Sequence, residues 1–111
     1  MRKWISDLNA QVIERDEERC ILCSTPAMYK PHHIVPRSRG KRWSPKLWRA
    51  ENMCCMCLPH HNDGQKTWMR IELLEKMVEL YDYDMSWVRE FGIAWPPDKV
   101  TRTEERAYYS T

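Results

Sequence analysis

Near the start of the chain, Trp4, Ile5, Leu8, Val12 and Ile13 recur at intervals of three to four positions with polar residues between them. That spacing predicts a helix with one apolar stripe, ending between Arg15 and Glu18. The segment Arg19-Cys-Ile-Leu-Cys-Ser-Thr-Pro has the form of a tight knuckle, and Ala27 to Ile34 is short and extended enough for a strand. Pro36 to Trp48 contains Gly40, Pro45 and two serines, so it reads as a long loop that a rigid frame must hold. Asn52 to Met56 is a second short, largely apolar strand. Pro59 suits the first turn of a helix, where a missing N–H has no partner to lose. That helix presents His60 and His61 before Gly64 interrupts it.

From Thr67 a new stripe begins: Trp68, Ile71, Leu74, Met77, Val78 and Tyr81 line one face of a predicted helix, with Thr67 as its N-cap. A short helix follows Asp84, with Trp87, Val88 and Phe91 apolar and Gly92 as its stop signal. After Pro96-Pro97 the chain is polar, although Tyr108 and Tyr109 could dock. There is no internal repeat. The 111 residues are expected to form a single domain of α+β class, with a core over 12–67, a C-terminal helical extension over 67–92 and a polar tail over 96–111.

An apolar fraction of 42%, with six Trp and five Tyr, allows a thin core, and a domain of this size gains much from a staple. No apolar run approaches the length of about 18 residues that a membrane helix needs. The start, MRKWISDLNAQ, lacks the apolar run and small-residue cleavage site of a secretory signal. The expected location is therefore the cytoplasm, with no membrane partner. Thiols stay reduced there, so the five cysteines point to metal ligation rather than disulfides. They occur as Cys20-x2-Cys23 and as Cys54, Cys55 and Cys57, the last followed at the same spacing by His60.

The net charge of +2 says little as a total, but its distribution is uneven. Lys30, Arg37, Arg39, Lys41, Arg42, Lys46 and Arg49 form a block without one acidic residue, leaving eleven basic against sixteen acidic residues elsewhere. A single-sign block in an otherwise acidic chain has the character of a footprint for a polyanion. Trp43, Trp48 and Trp68 could stack on bases, although in a small domain aromatic residues more often serve packing.

Four features now stand in order: the Cys20/Cys23 knuckle, the doublet His32-His33 within HHIVPRSRG, Asn52, and Cys57-x2-His60-His61. Together they resemble the HNH, or ββα-metal, nuclease family in its zinc-ribbon form, and the modest length is similar to that of small phage-encoded members. The resemblance covers roughly Val12 to Thr67. It implies a ββα-metal (His-Me) finger with a structural zinc knuckle, flanked by an N-terminal helix and C-terminal helices. It also implies that His33 is the general base, that Asn52 braces the loop and backbone orienting it, and that His32 and His61 hold a catalytic ion. The nine-residue spacing from Asn52 to His61 matches that of related nucleases and favours His61 over His60 for this ion.

The implied working ion is magnesium or manganese, although imidazole ligands also suit nickel and zinc. For the structural zinc, the family spacing points to Cys20, Cys23, Cys57 and His60. Cys54-x2-Cys57 is a rival pair that would complete an all-thiolate site with Cys20 and Cys23 and leave His60 free. Arg37, Arg39, Lys41, Arg42, Lys46 and Arg49 are the candidate DNA contacts, of the kind that attract any duplex without naming a sequence. The expected function is a metal-dependent DNA endonuclease that hydrolyses phosphodiester bonds. The competing reading is a zinc-stabilised DNA-binding or assembly module, active only with a partner such as the phage terminase.

Overall fold

The computed structural model describes residues 2–97. Most of the polar tail, including Tyr108 and Tyr109, lies outside the described residues. Helix α1 spans Lys3–Arg15, strand β1 His32–His33, strand β2 Met53–Cys54, helix α2 Leu58–Asn62 and helix α3 Thr67–Tyr81. Short 3-10 segments occupy Arg37–Arg39, Ala50–Asn52 and Ser86–Phe91. The two strands pair antiparallel, His32 opposite Cys54 and His33 opposite Met53. The fold is thus α+β around one very short two-stranded sheet.

A ladder of this length cannot stand alone in water, and what holds it is packing on both faces. Met53 and Cys55 belong to one core cluster with Ile5 and Val12 of α1, while Cys54 and Met56 belong to a second with Leu73, Leu74 and Met77 of α3. Successive residues of a strand point to opposite faces, so a strand buried on both sides is apolar throughout. That explains the run Met53-Cys-Cys-Met-Cys57, which does not alternate with polar residues.

The exit of α1 is bolted to this sheet. Arg15 donates from Nη1 to the Ala50 carbonyl at 2.8 Å and from Nη2 to the Met53 carbonyl at 2.6 Å. Its neighbour Asp16, paired with Arg15 at 2.8 Å, accepts the Cys55 N–H at 2.8 Å and the hydroxyl of Tyr81 from α3. Glu17 and Glu18 then adopt left-handed backbone, φ 57° and 60°, which reverses the chain into the knuckle closed by the Arg19–Pro26 bridge.

Several sequence expectations need correction. The predicted strand over Ala27–Ile34 forms only at His32–His33, and that over Asn52–Met56 only at Met53–Cys54, with Asn52 in a 3-10 turn. Thr67 is the first residue of α3 rather than its N-cap; Lys66 holds the cap position, where its side chain makes no capping hydrogen bond. The buried face of α3 also includes Met69, Arg70 and Leu73, while Val78 is 36% exposed. The hairpin residues Cys54 and Met56 and the C-terminal residues Met85 and Val88 share one core cluster with α3, so its buried face is wider than a simple stripe. The turn at Ser86–Phe91 forms where expected and ends at Gly92, whose φ of +80° is the left-handed conformation that glycine adopts without steric cost.

Candidate functional site

Two clusters of chemistry-bearing side chains draw on α2, one through His60 and the other through His61. In the first, Cys20, Cys23, Cys57 and His60 are placed to hold a metal ion, their ligand atoms all within 4.8 Å of one another. His60 turns Nδ1 inward, 3.4 Å from Cys20 Sγ and 3.2 Å from Cys57 Sγ, and the sulfurs of Cys23 and Cys57 are 3.7 Å apart. The knuckle after α1 supplies two ligands. The entry and first turn of α2 supply the others, because Cys57 takes the cap position and His60 falls one turn on.

The rival Cys54 is not part of the group. It is fully buried between β2 and α3, where desolvation pushes its thiol well above the ordinary range. Cys23, by contrast, is pulled down to about 6 by its hydrogen bonds with Thr25, the side chain contributing most. All five cysteines are free thiols.

In the second cluster, His61 faces a cleft of about 780 Å³ lined also by His32, His33, Arg37, Ser38 and Arg42. The rings of His32 and His61 meet edge to face with centroids 5.2 Å apart. His33 abuts the indole of Trp48 at 4.5 Å. Buried Nε2 atoms of both His32 and His33 lack a hydrogen-bond partner, an arrangement that costs stability unless something else engages them.

Burial is the main cause that lowers His32 to about 4, with the charge of His61 adding to it. His33 also falls to about 4, through burial first and then Arg37 and His32. Both are therefore neutral near pH 7, the form in which imidazole binds a cation or takes up a proton.

Asn52 fixes the loop above this cleft. It is 0% exposed, and its side chain makes three local hydrogen bonds: Oδ1 accepts the Val35 N–H at 2.8 Å, and Nδ2 donates to the carbonyls of Val35 at 3.0 Å and Leu47 at 2.9 Å. One amide thus clamps both ends of the segment 35–47 immediately after the histidine doublet.

The six candidate DNA contacts divide into two sets. Arg37 and Arg42 line the cleft, and Lys41 is exposed on the same loop. The other three fasten the loop to its surroundings. Lys46 pairs with Glu90 at 2.5 Å, Arg39 donates to the Phe91 carbonyl at 2.8 Å, and Arg49 pairs with Glu51 at 2.6 Å while lying 4.6 Å over the Trp87 ring.

Three residues that the sequence reading did not assign to the site also shape it. A methyl group added at Gly64 would stand 2.6 Å from His32 Cε1 and 2.9 Å from its Nε2, so only glycine lets the turn after α2 sit against that imidazole. Gln65 donates to the His33 carbonyl at 3.3 Å, and Arg70 of α3 donates to Gln65 at 3.2 Å and to the Ile34 carbonyl at 3.3 Å. Gly64 was visible in the sequence only as a helix breaker. Nothing distinguishes Gln65 and Arg70 from ordinary surface residues until α3 is packed.

No family model, curated protein or solved structure matches the chain. No helix among the described residues is long and apolar enough to cross a membrane.

Proposed function

We propose that the chain is an HNH-type, metal-dependent endonuclease that hydrolyses phosphodiester bonds in DNA on a zinc-stapled ββα-metal finger. The observation that carries this reading is the convergence of His32, His33 and His61 in one cleft beneath Arg37 and Arg42.

The chemistry of the donors supports an ion in each cluster. Three thiolates and one imidazole suit tetrahedral zinc, for which Zn–S bonds of about 2.3 Å imply sulfurs roughly 3.8 Å apart; Cys23 and Cys57 stand 3.7 Å apart. In the cleft, the unpartnered Nε2 of His32 beside the ring of His61 fits a second cation with room for water and phosphate. A divalent ion there, magnesium or manganese by the resemblance, supplies charge to polarise the phosphate and stabilise the departing 3′ oxygen.

This chain's own residues do the rest. Arg37 and Arg42 draw the phosphate backbone into the cleft. Neutral His33 takes a proton from water as the water oxygen bonds to phosphorus and the bond to the 3′ oxygen breaks. Asn52, through the segment it clamps, keeps His33 and Arg37 in register. Gln65 and Arg70 hold the strand end from below.

Plasmid nicking on addition of manganese tests the reading. With His61→Ala, half-maximal nicking should require a much higher ion concentration, while zinc content stays unchanged because His60 is untouched. Gly64→Ala should push His32 aside and weaken manganese binding by about 10–100-fold, as substitutions that misplace a ligand do; titration calorimetry reads this directly. If the parent binds DNA but cuts it under no divalent ion, the chain is instead a zinc-stabilised binding or assembly module. Cleavage that appears only on adding terminase would make it a subunit of that motor.

A further inference from the structure

A second chamber of about 440 Å³ adjoins the cleft across His33, Arg37 and Pro31, which line both. Its size falls within the range of about 300–1,000 Å³ usual for small-ligand sites. The walls are the indoles of Trp43 and Trp48 with Ile5 of α1, and the polar groups are Arg2, Lys30 and Asn9. Among the described residues no carboxylate lines it.

We propose that this chamber receives an unpaired nucleobase of DNA, directing the protein to strands that are single, bulged or mismatched; that the base flanks the phosphate being cut rests on the nuclease reading above.

The lining chemistry selects this ligand. Apolar aromatic walls alone would suit any flat molecule, and cations alone any anion. A nucleotide is the ligand that is flat and apolar at one end and anionic at the other, with a polar edge for one amide to read. Asn9 offers that edge both a donor and an acceptor.

The walls are firm. Trp48 is 9% exposed, its Nε1–H donates to the Arg42 carbonyl at 3.0 Å, and Trp4 abuts it at 5.9 Å. Trp43 lies 5.8 Å from Trp48 with the rings tilted by 36°. Guanidinium groups already gather over these rings, Arg42 at 4.8 Å and Arg2 at 5.4 Å from Trp43, and Arg37 at 5.3 Å from Trp48. All three are exposed side chains that can turn from a ring toward a phosphate.

A base stacked inside a duplex cannot enter without leaving its neighbours, and the cost of extruding it is smallest where it is already unpaired. Stacking on one aromatic side chain raises affinity by roughly 5- to 150-fold. That gain is of the same order as the extrusion cost, so it is realised in full on unpaired DNA and largely cancelled on a perfect duplex.

The test measures fluorescence anisotropy of a short single-stranded oligonucleotide and its duplex, without added divalent ion, against the parent, Trp43→Leu and Trp43→Phe. Leucine fills space without stacking and keeps the loop packed, which a thermal melt verifies. The parent should bind the single strand more tightly than the duplex. Trp43→Leu should lose about 5- to 150-fold on the single strand and little on the duplex, and Trp43→Phe should recover most of the loss. Equal weakening on both DNAs, or none on the single strand, overturns the proposal. Tryptophan-dependent binding by a parent that cuts nothing upholds the chamber while sinking the nuclease. Cutting without a preference for unpaired DNA sinks the chamber and spares the nuclease.

Discussion

Cys20, Cys23, Cys57 and His60 are placed to hold a metal ion, and chelating a zinc ion bound there is expected to abolish the cooperative thermal transition, or to lower Tm by at least about 20 °C. Structural zinc in small domains contributes on the order of 10–16 kcal/mol of apparent binding energy. A whole domain is typically stable by only about 5–15 kcal/mol. The sheet here spans two residues on each strand, and the knuckle reaches it through two backbone bonds, Ile21 N–H to the Cys55 carbonyl at 3.1 Å and Met28 N–H to the Met56 carbonyl at 2.9 Å. Without the ion, the four ligand side chains lose their common partner, and the segment 19–28 is left with those bonds and the packing of Ile21, Leu22 and Ala27. Cys57→Ser should reproduce the effect. Cys54→Ala, which removes a thiol from the core and not from the metal group, should lower Tm modestly and retain stoichiometric zinc by elemental analysis. Loss of zinc from Cys54→Ala would show that the ligand set is wrong.

His33→Ala is expected to reduce the rate of plasmid nicking by about 10²–10⁴-fold at every ion concentration, the range for loss of a general base. The fold should survive. The imidazole is only half-buried, its Nε2 forms no hydrogen bond, and its ring contact is with Trp48, so truncation leaves no polar group newly orphaned. Tm and zinc content should match the parent within error. The contrast with His61→Ala is diagnostic, because a lost ligand can be compensated by more ion and a lost base cannot. Nicking by His33→Ala at the parental rate would remove this residue from the chemistry.

What could be read from the chain before its structure depended on how local the cause was. α1 and the turn ending at Gly92 follow from periodicity and a stop signal within a few residues, and both form close to the expected positions. The helix entered at Pro59 also forms, because proline at its start restricts the backbone locally. Strand lengths were overestimated, since apolar content between Ala27 and Ile34 does not reveal that the regular ladder is confined to His32 and His33. The candidate metal group was legible because the family spacing points to it. The family spacing favoured His60 over Cys54, and the structure groups His60 with the three cysteines while Cys54 faces α3. Among the basic residues, composition marks the block but cannot separate Arg37 and Arg42, which reach the cleft, from Lys46 and Arg49, which are committed to Glu90 and Glu51.

His60 and His61 are consecutive residues of a five-residue helix, and neighbours on an α-helix diverge by about 100° around its axis. That divergence lets one short element serve the staple with one side chain and the cleft with the next. It also makes the stretch between Cys57 and His61 intolerant of any change in length. Inserting a single residue between His60 and His61 would swing the second imidazole a further 100° or so around the axis, out of the cleft, while leaving the group of Cys20, Cys23, Cys57 and His60 in place. The exposed tip of the loop near Lys41, held at both ends by one buried amide, has no such constraint, and variation in reach among proteins built this way should collect there.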